Sequence, residues 1–452
     1  MCALVSGCDD ATDASTGSTS GATSTTHGST SSAGGAGSTS ATGGNTTTAA
    51  SSGSSSSSGA GGAPTDPCAA VMPNCPQNVP MSAGLGLKST DRCAFPIHDD
   101  DTWASNTALI ADLALKNPIR TLGDILLTDL NRTATAVTSA DLPGSVTEFR
   151  SGFEWEAGDE SVAYWIPQGI TQSGDGSSSG TVAGHKVVLV SWYYDKSQEP
   201  GSAIEKGVRL AIVDPTLATI KYRFVLLVEP KAGSPVDFSP IQIHAGGLAW
   251  FDHWLYVVDT QKGFRVFDLD KMLTVDTTKD FIGYDAATQK YYAANYKYVL
   301  PQVGAYTTTS ACSQVFSFTS IDRSTTPPTL LSGEYCNAGG SCGALAGRLF
   351  RYKLGADGLL PTGTSWPSDA AFMGETQIQG ATSYNKKYYL SSSAPAGGAG
   401  ALYVLPTSGP SKTVGWIDSP EDVAFDPMQM RLWSLSEALG ARFVFSVDPS
   451  GY

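Results

Sequence analysis

The chain is poor in charged residues, and basic residues are the scarcer kind. Asp, Glu, Lys and Arg make up 15% of 452 residues, and 28 basic against 42 acidic side chains give a formal net charge of −14. Without a basic cluster, this balance excludes nucleic acid and anionic lipid headgroups as partners. No run of about 18 apolar residues exists, which excludes a membrane-spanning helix.

Two nucleotide-binding signatures are also missing from the sequence. It contains no phosphate-binding loop and no dinucleotide fingerprint. What it has in quantity is glycine, 49 residues, with 25 prolines and 41% hydrophobic residues. This composition favours a loop-rich β protein over a helical bundle.

The first eight residues carry a targeting motif. Leu-Val-Ser-Gly-Cys, ending at Cys8, resembles the lipobox of bacterial lipoproteins. The resemblance implies that Cys8 is acylated, so the membrane is reached only through a lipid anchor. Only seven residues precede Cys8, with no basic region, which predicts an upstream start codon. The alternative is an ordinary initiator followed by a chance cysteine.

Residues 9–64 form a low-complexity segment. Fifty of these 56 residues are Ser, Thr, Gly or Ala, and none is Lys, Arg or a large apolar residue. Such a segment cannot bury enough surface to offset the entropy of ordering, so it is predicted to be a disordered tether. Lipid and tether together predict an exported protein held at the cell envelope, or a secreted one.

Six further cysteines suggest three disulfides in an oxidising compartment: Cys68, Cys75, Cys93, Cys312, Cys336 and Cys342. Fifteen pairings fit these six cysteines. We expect a bridge from Cys312 to Cys336 or Cys342 across a hairpin. Zinc binding by Cys336 and Cys342 is disfavoured, because their spacing exceeds that of usual zinc ligand pairs.

The rest of the chain repeats a strand pattern five times. A glycine followed by alternating apolar residues begins at Gly207, Gly263, Gly347, Gly400 and Gly440. A second apolar run precedes most of these, at 186–192, 254–259, 314–318, 387–390 and 431–435. A third phrase, with a polar residue beside small ones, comes earlier still, at 167–170, 244–248, 301–305, 379–381 and 420–424. Repeated short strands of this kind are typical of propeller blades.

The sequence therefore predicts an all-β fold, a five-bladed β-propeller over residues 146–452. The last copy stops after three strands, so an N-terminal strand near 147–155 is expected to complete it. A six-bladed ring is the alternative, if 284–298 forms additional strands. The phrases 244–250, 255–260 and 420–425 resemble those of bacterial exported β-propeller proteins, a family whose members serve many functions.

Between the tether and the ring, residues 65–145 are predicted to be a disulfide-bearing, partly helical extension. Apolar spacing predicts a helix over 106–115, with Ser105 as a candidate cap, and a second short helix over 122–130.

The third phrase also supplies candidate site residues. Innermost strands of a propeller meet at its axis, which predicts a polar ring of Gln168, His244, Gln302, Gln379 and Glu421, with Asp422 adjacent. Such groups would bind a small polar molecule, a carbohydrate or an envelope protein. The alternative is that they satisfy neighbouring backbone groups and ordered water.

Catalysis is the rival function. His244 oriented by Glu421 or Asp422 would act as a general base in a hydrolase or lyase. Calcium prefers six to eight oxygen ligands rich in carboxylate, whereas this set is mostly glutamine. We therefore predict no cofactor and no metal, with calcium the weaker alternative, and binding rather than an enzyme.

Overall fold

The computed structural model describes residues 66–71, 74–76, 84, 86–310, 312, 314–337, 346–393, 400–406 and 410–452. The lipobox with Cys8 and the predicted tether lie outside these residues. The elements preceding the ring are β1 (Lys88–Ser89), β2 (Ile97–Asp99), α1 (Thr102–Ala114), β3 (Ile119–Arg120), α2 (Leu122–Thr128), β4 (Arg132–Thr133), β5 (Thr135–Ala136), β6 (Phe149–Glu154) and α3 (Ala157–Glu160).

The first two blades follow in chain order. Their elements are β7 (Trp165–Gln172), α4 (Ser173–Gly176), β8 (Val188–Tyr194), β9 (Val208–Asp214), β10 (Lys221–Lys231), β11 (Asp237–Pro240), β12 (Leu248–Phe251), β13 (Trp254–Asp259), β14 (Gly263–Asp268), β15 (Met272–Thr274), β16 (Ile282–Asp285), β17 (Lys290–Ala293) and β18 (Tyr298–Thr308). Blade 1 is β7-β8-β9-β10 and blade 2 is β12-β13-β14-β18, in order from the axis outwards.

Three more blades complete the strand inventory. Their strands are β19 (Phe316–Asp322), β20 (Thr329–Glu334), β21 (Arg348–Lys353), β22 (Thr364–Ser365), β23 (Asp369–Phe372), β24 (Ile378–Tyr384), β25 (Lys387–Ser392), β26 (Ala401–Pro406), β27 (Lys412–Gly415), β28 (Pro420–Asp426), β29 (Arg431–Ser436) and β30 (Phe443–Val447). Blade 3 is β19-β20-β21-β23, blade 4 is β24-β25-β26-β27, and blade 5 is β28-β29-β30-β6. The fold is the predicted five-bladed propeller.

An N-terminal strand closes the ring. β6 pairs antiparallel with β30, aligning Phe153 with Val444 and Gly152 with Phe445. The final blade thus takes its outermost strand from about 290 residues earlier in the chain, as the three-stranded last repeat predicted. Phe153 and Val444 are both buried, so closure buries apolar surface as well as pairing a strand edge.

The strands of the blades are buried on both faces of each sheet. All seven residues of β9, including Leu210, Ile212 and Val213, are buried, because each blade packs between two others. The five glycine-led phrases of the sequence are the third strands of the five blades, β9, β14, β21, β26 and β30. A sheet with two apolar faces requires neighbours, which is why the repeat predicts a closed ring.

The six-bladed alternative is wrong. The segment proposed for it contributes β16 and β17, which form a separate two-stranded hairpin, and then β18, the outermost strand of blade 2. This insertion lies within blade 2, between β15 and β18.

Two disulfides join described residues, Cys68 to Cys93 and Cys75 to Cys312. The expected bridge from Cys312 to Cys336 or Cys342 is therefore wrong, because Cys312 pairs with a cysteine 237 residues away in the extension. Cys336 is also disulfide-bonded, and Cys342 lies outside the described residues. Disulfides persist in oxidising compartments, so they point toward an extracytoplasmic location.

Backbone pairing and packing hold the extension against the ring. β2 pairs with β18, β1 with β23, and β3 with β15. α1 starts four residues before the predicted helix and has Asp101, rather than Ser105, at its N-cap position. α2 begins with a capping box formed by Thr121 and Asp124.

Candidate binding site at the axial mouth

The inner strands share a local irregularity at the end of the ring where they begin. In blades 1, 3, 4 and 5 the inner strand (β7, β19, β24 or β28) pairs with the second strand of its blade. A register shift interrupts this pairing near the start of each inner strand. The extra residues at these bulges are Gln168–Gly169, Ser317, Gln379 and Glu421–Asp422. A bulge re-aims a side chain away from the regular pleat, so equivalent side chains are redirected at one end of the axis.

Four side chains meet there, and we call them the axial mouth: Gln168, Gln379, Glu421 and Glu437. Gln379 Nε2 donates to Glu421 Oε1 at 3.2 Å, and Gln168 Nε2 donates to Glu437 Oε2 at 2.9 Å. The carboxyl groups of Glu421 and Glu437 also interact, and this interaction lowers the pKa of Glu437. The side chains of the axial mouth thus link blades 4, 5 and 1.

Burial dominates the electrostatics of Glu437. It raises the pKa of the Glu437 carboxyl group, against the opposing effects of the Gln168 amide, of Arg442 and of the Glu421 carboxyl group. The axial mouth therefore presents amide donors and carboxyl acceptors together.

Asp422 points away from its neighbour Glu421 and has a different role. Its Oδ2 accepts from the backbone N–H groups of Ile170 at 3.1 Å and Leu248 at 3.3 Å, and its Oδ1 accepts from Val423 N–H at 2.9 Å. It is fully buried, and burial raises the pKa of its carboxyl group. Asp422 therefore ties the inner strands of blades 5, 1 and 2 together and does not orient His244.

His244 lies just before β12, at the same end of the ring as the axial mouth. Its ring is partly buried and stacks on Tyr193 with the centroids 4.5 Å apart. This stack offers an aromatic surface beside the entrance to the axis.

Gln302 is not at the axis, so its predicted position on an inner strand is wrong. It lies on β18, the outermost strand of blade 2, and its Oε1 accepts from Arg265 Nη1 at 2.7 Å. The inner strand of blade 3 is β19, which the sequence pattern placed second. The side chain at the equivalent bulge is Ser317.

Glu437 was missed by the sequence analysis. It follows β29, and the end of that strand pairs with the start of β28, since Ser436 lies opposite Pro420. A polar residue directly after the second strand of a blade therefore lies beside the polar residue at the start of the inner strand. The predicted hairpin of 420–424 and 431–435 could have placed Glu437 beside Glu421 in this way.

The far end of the axis is filled by protein. α4 packs against β7, β12 and β28 there. Gly176 lies so close to Trp250 that a Cβ atom would come within 2.2 Å of its indole ring. Near the start of the inner strand of blade 2, a Cβ on Gly247 would lie 2.3 Å from the backbone nitrogen of Thr319 on the inner strand of blade 3. The inner strands therefore pack backbone to backbone along this part of the axis.

The described residues contain neither a cluster of metal ligands nor a membrane-spanning helix. No three His, Cys, Asp or Glu side chains in this part of the chain are grouped so that they would hold a metal ion. None of its helices is both long and apolar enough to cross a membrane.

No family model and no curated protein sequence matches this chain. Among solved structures it is similar to the Myceliophteria thermophila Cps50 (Swd1) β-propeller domain, at 9% identity and a TM-score of 0.31, covering 68% of this chain and 99% of that one. It is also similar to Kuenenia stuttgartiensis hydrazine synthase, at 11% identity and a TM-score of 0.28, covering 61% and 74% of the two chains. Similarity at this level carries no information about ligand or activity.

Proposed function

We propose that this protein is an extracytoplasmic binding propeller whose axial mouth holds a neutral, hydroxyl-rich small molecule, a carbohydrate above all. The observation that carries the proposal is the axial mouth, where Gln379 donates to Glu421 and Gln168 donates to Glu437. Sugar hydroxyls both donate and accept, and these four side chains offer both kinds of partner without a cation among them. The stack of His244 on Tyr193 supplies an apolar surface for a sugar ring.

The same geometry disfavours the hydrolase and lyase alternative. Glycosidases separate their two carboxyl groups by about 5–5.5 Å for retention or about 6.5–9.5 Å for inversion, to leave room for the sugar or for water. The side chains of Glu421 and Glu437 instead interact with each other. Asp422, the other candidate partner of His244, has both carboxylate oxygens occupied by backbone N–H groups.

Replacing Gln379 with alanine tests the binding site. The variant should bind a neutral saccharide, chosen from a glycan array probed with wild-type protein, about two- to tenfold more weakly in calorimetric titration, because it loses one neutral hydrogen-bonding group. Gln302→Ala is the matched control, since that glutamine lies on an outer strand. Absence of any neutral saccharide from the array hits, or an equal loss in the control, would contradict the proposal.

We further assign Cys8 as the lipid attachment site and residues 9–64 as the tether to the envelope membrane, on the lipobox-like sequence and the low-complexity composition. When the gene is expressed in its own host with its upstream sequence, labelled palmitate should appear in the wild-type protein. It should be lost in Cys8→Ala and retained in Cys2→Ala. Label that persists in Cys8→Ala, or none in the wild type, would show that the anchor is absent.

A further inference from the structure

A second cavity lies between blades 5 and 1, toward the ends of the inner strands and away from the axial mouth. Its volume is about 190 Å³, which is below the ~300–1,000 Å³ of pockets for drug-sized ligands and suits one small molecule. Its lining includes Gln172, Lys186, Asp426, Gln429, Arg431 and Trp433. We call it the blade 5–1 pocket.

Arg431 is the unusual residue of this pocket. Among the arginines of the described ranges, only Arg431 and the exposed Arg120 have neither a hydrogen bond nor an ion pair. The others are paired with carboxylates or bound to carbonyl oxygens, as Arg351 is to Asp322. Arg431 is partly buried in a chain with a net charge of −14, so a guanidinium without an acceptor there is a site for an anion.

Lys186 adds a second positive charge to the pocket. Its nearest acidic partner is Asp426, with Nζ 3.8 Å from Oδ2, too far for a hydrogen bond. Asp426 Oδ1 is already used, since it accepts from the backbone N–H groups of Met428 and Gln429 at 2.8 and 3.0 Å. Two cations and one carboxylate leave the pocket with a net positive charge of one.

The remaining lining groups narrow the ligand class. Gln172 is satisfied by the backbone around it, donating to Phe425 O at 3.0 Å, so it forms a fixed wall. The side-chain amide of Gln429 has no partner in the described part of the chain, and Asp426 Oδ2 remains an acceptor for a hydroxyl group. Trp433 contributes an apolar wall.

We propose that the blade 5–1 pocket binds a small hydroxylated monocarboxylate, of the size and chemistry of a sugar acid. The ligand carboxylate pairs with Arg431 and Lys186, and its hydroxyl groups bond to Gln429 and Asp426. A bare dianion such as phosphate fits less well, because Asp426 would repel its second charge. This site is separate from the axial mouth and does not depend on the function proposed for it.

Calorimetric titration with glucuronate, glucose and inorganic phosphate tests the proposal on the full-length chain. Glucuronate should bind with a dissociation constant in the millimolar range or tighter, and its affinity should fall as salt is raised. Glucose, which lacks the carboxylate, and phosphate should each bind this pocket at least tenfold more weakly. The same titrations on Gln379→Ala identify any glucose bound at the axial mouth, because that binding is weakened there. Failure of glucuronate to bind, or binding of glucose or phosphate that equals that of glucuronate and is unchanged in Gln379→Ala, overturns the assignment.

Variants of the two cations locate the binding. Arg431→Gln should weaken glucuronate binding about tenfold to a hundredfold, the range for a lost charge-assisted hydrogen bond, and Lys186→Gln should weaken it less because an ammonium makes no bidentate contact. Arg431→Lys keeps the charge and should recover part of the affinity. Arg120→Gln is the matched control. An unchanged affinity in Arg431→Gln, with the unfolding midpoint preserved, places glucuronate elsewhere and overturns the assignment.

Discussion

Replacing Asp159 with alanine should lower the free energy of unfolding by about 3–5 kcal/mol, the usual cost of removing one partner from a buried ion pair. Asp159 lies in α3 and is 3% exposed. Its carboxylate accepts from Arg209 at 3.1 Å, from Arg132 at 2.9 Å and from the Tyr222 hydroxyl at 2.5 Å. It is the only carboxylate within ion-pair distance of Arg209 among the described residues.

The reason for so large an effect is the setting of Arg209. Its guanidinium is 2% exposed and lies over Trp165, Trp192 and Phe224, with 3.5 Å to the Phe224 ring centroid. Aromatic faces stabilise a cation, but they do not replace the hydrogen bonds and opposite charge that a buried guanidinium requires. Without Asp159, the Arg209 side chain keeps one hydrogen bond to the described residues, which it donates to the Tyr296 hydroxyl at 3.2 Å.

Glu156→Ala is the matched control, because Glu156 also pairs with Arg132 but both side chains are about one-third exposed. Exposed pairs contribute about 0–1 kcal/mol, so this variant should unfold close to the wild type. Urea denaturation of both variants at pH 7, with the disulfides intact, measures the difference. Equal midpoints for the two variants would mean that Arg209 does not depend on Asp159.

The blade pattern could be read from the sequence because it is local. Each glycine-led third strand combines a turn residue with alternating apolar positions inside a single short window, and all five such phrases were placed correctly. The closing strand was predicted from the number of strands in each repeat. The last repeat has only three, so its third strand has an unpaired edge that a fourth strand must cover in a closed ring. Both inferences use only the order and composition of neighbouring residues.

Pairings between distant residues could not be read in the same way. The phrase around Gln302 has the same proline, glutamine and glycine as the phrase around Gln168, yet it lies on an outer strand, because β16 and β17 lengthen the unit. Gln168 and Glu437 are 269 residues apart, and Cys75 and Cys312 are 237 apart. Composition gives no information on which distant residues meet, so Glu437 and the Cys75 bridge appear only in three dimensions.

The fully buried Asp422 yields the second large prediction, and Asp422→Ala should lower the free energy of unfolding by about 2–6 kcal/mol. The substitution leaves the N–H groups of Ile170 and Leu248 without their acceptor, at about 1–3 kcal/mol for each buried unsatisfied group. These N–H groups belong to inner strands of blades 1 and 2, so the loss falls where three blades meet. Differential scanning calorimetry and urea denaturation both measure it.

Asparagine at the same position separates the acceptor role from side-chain volume. Asp422→Asn keeps the shape, but one of its two polar atoms becomes an NH2 group that faces backbone donors, so it should be nearly as destabilising as alanine. Glu421→Gln, one residue earlier on the same strand, should cost less than about 1 kcal/mol, because a glutamine side-chain oxygen still accepts from Gln379. The prediction would be contradicted if Asp422→Asn had the same free energy of unfolding as the wild type while Glu421→Gln had a lower one. In that case the Glu421 carboxyl group, rather than Asp422, would hold the inner strands together.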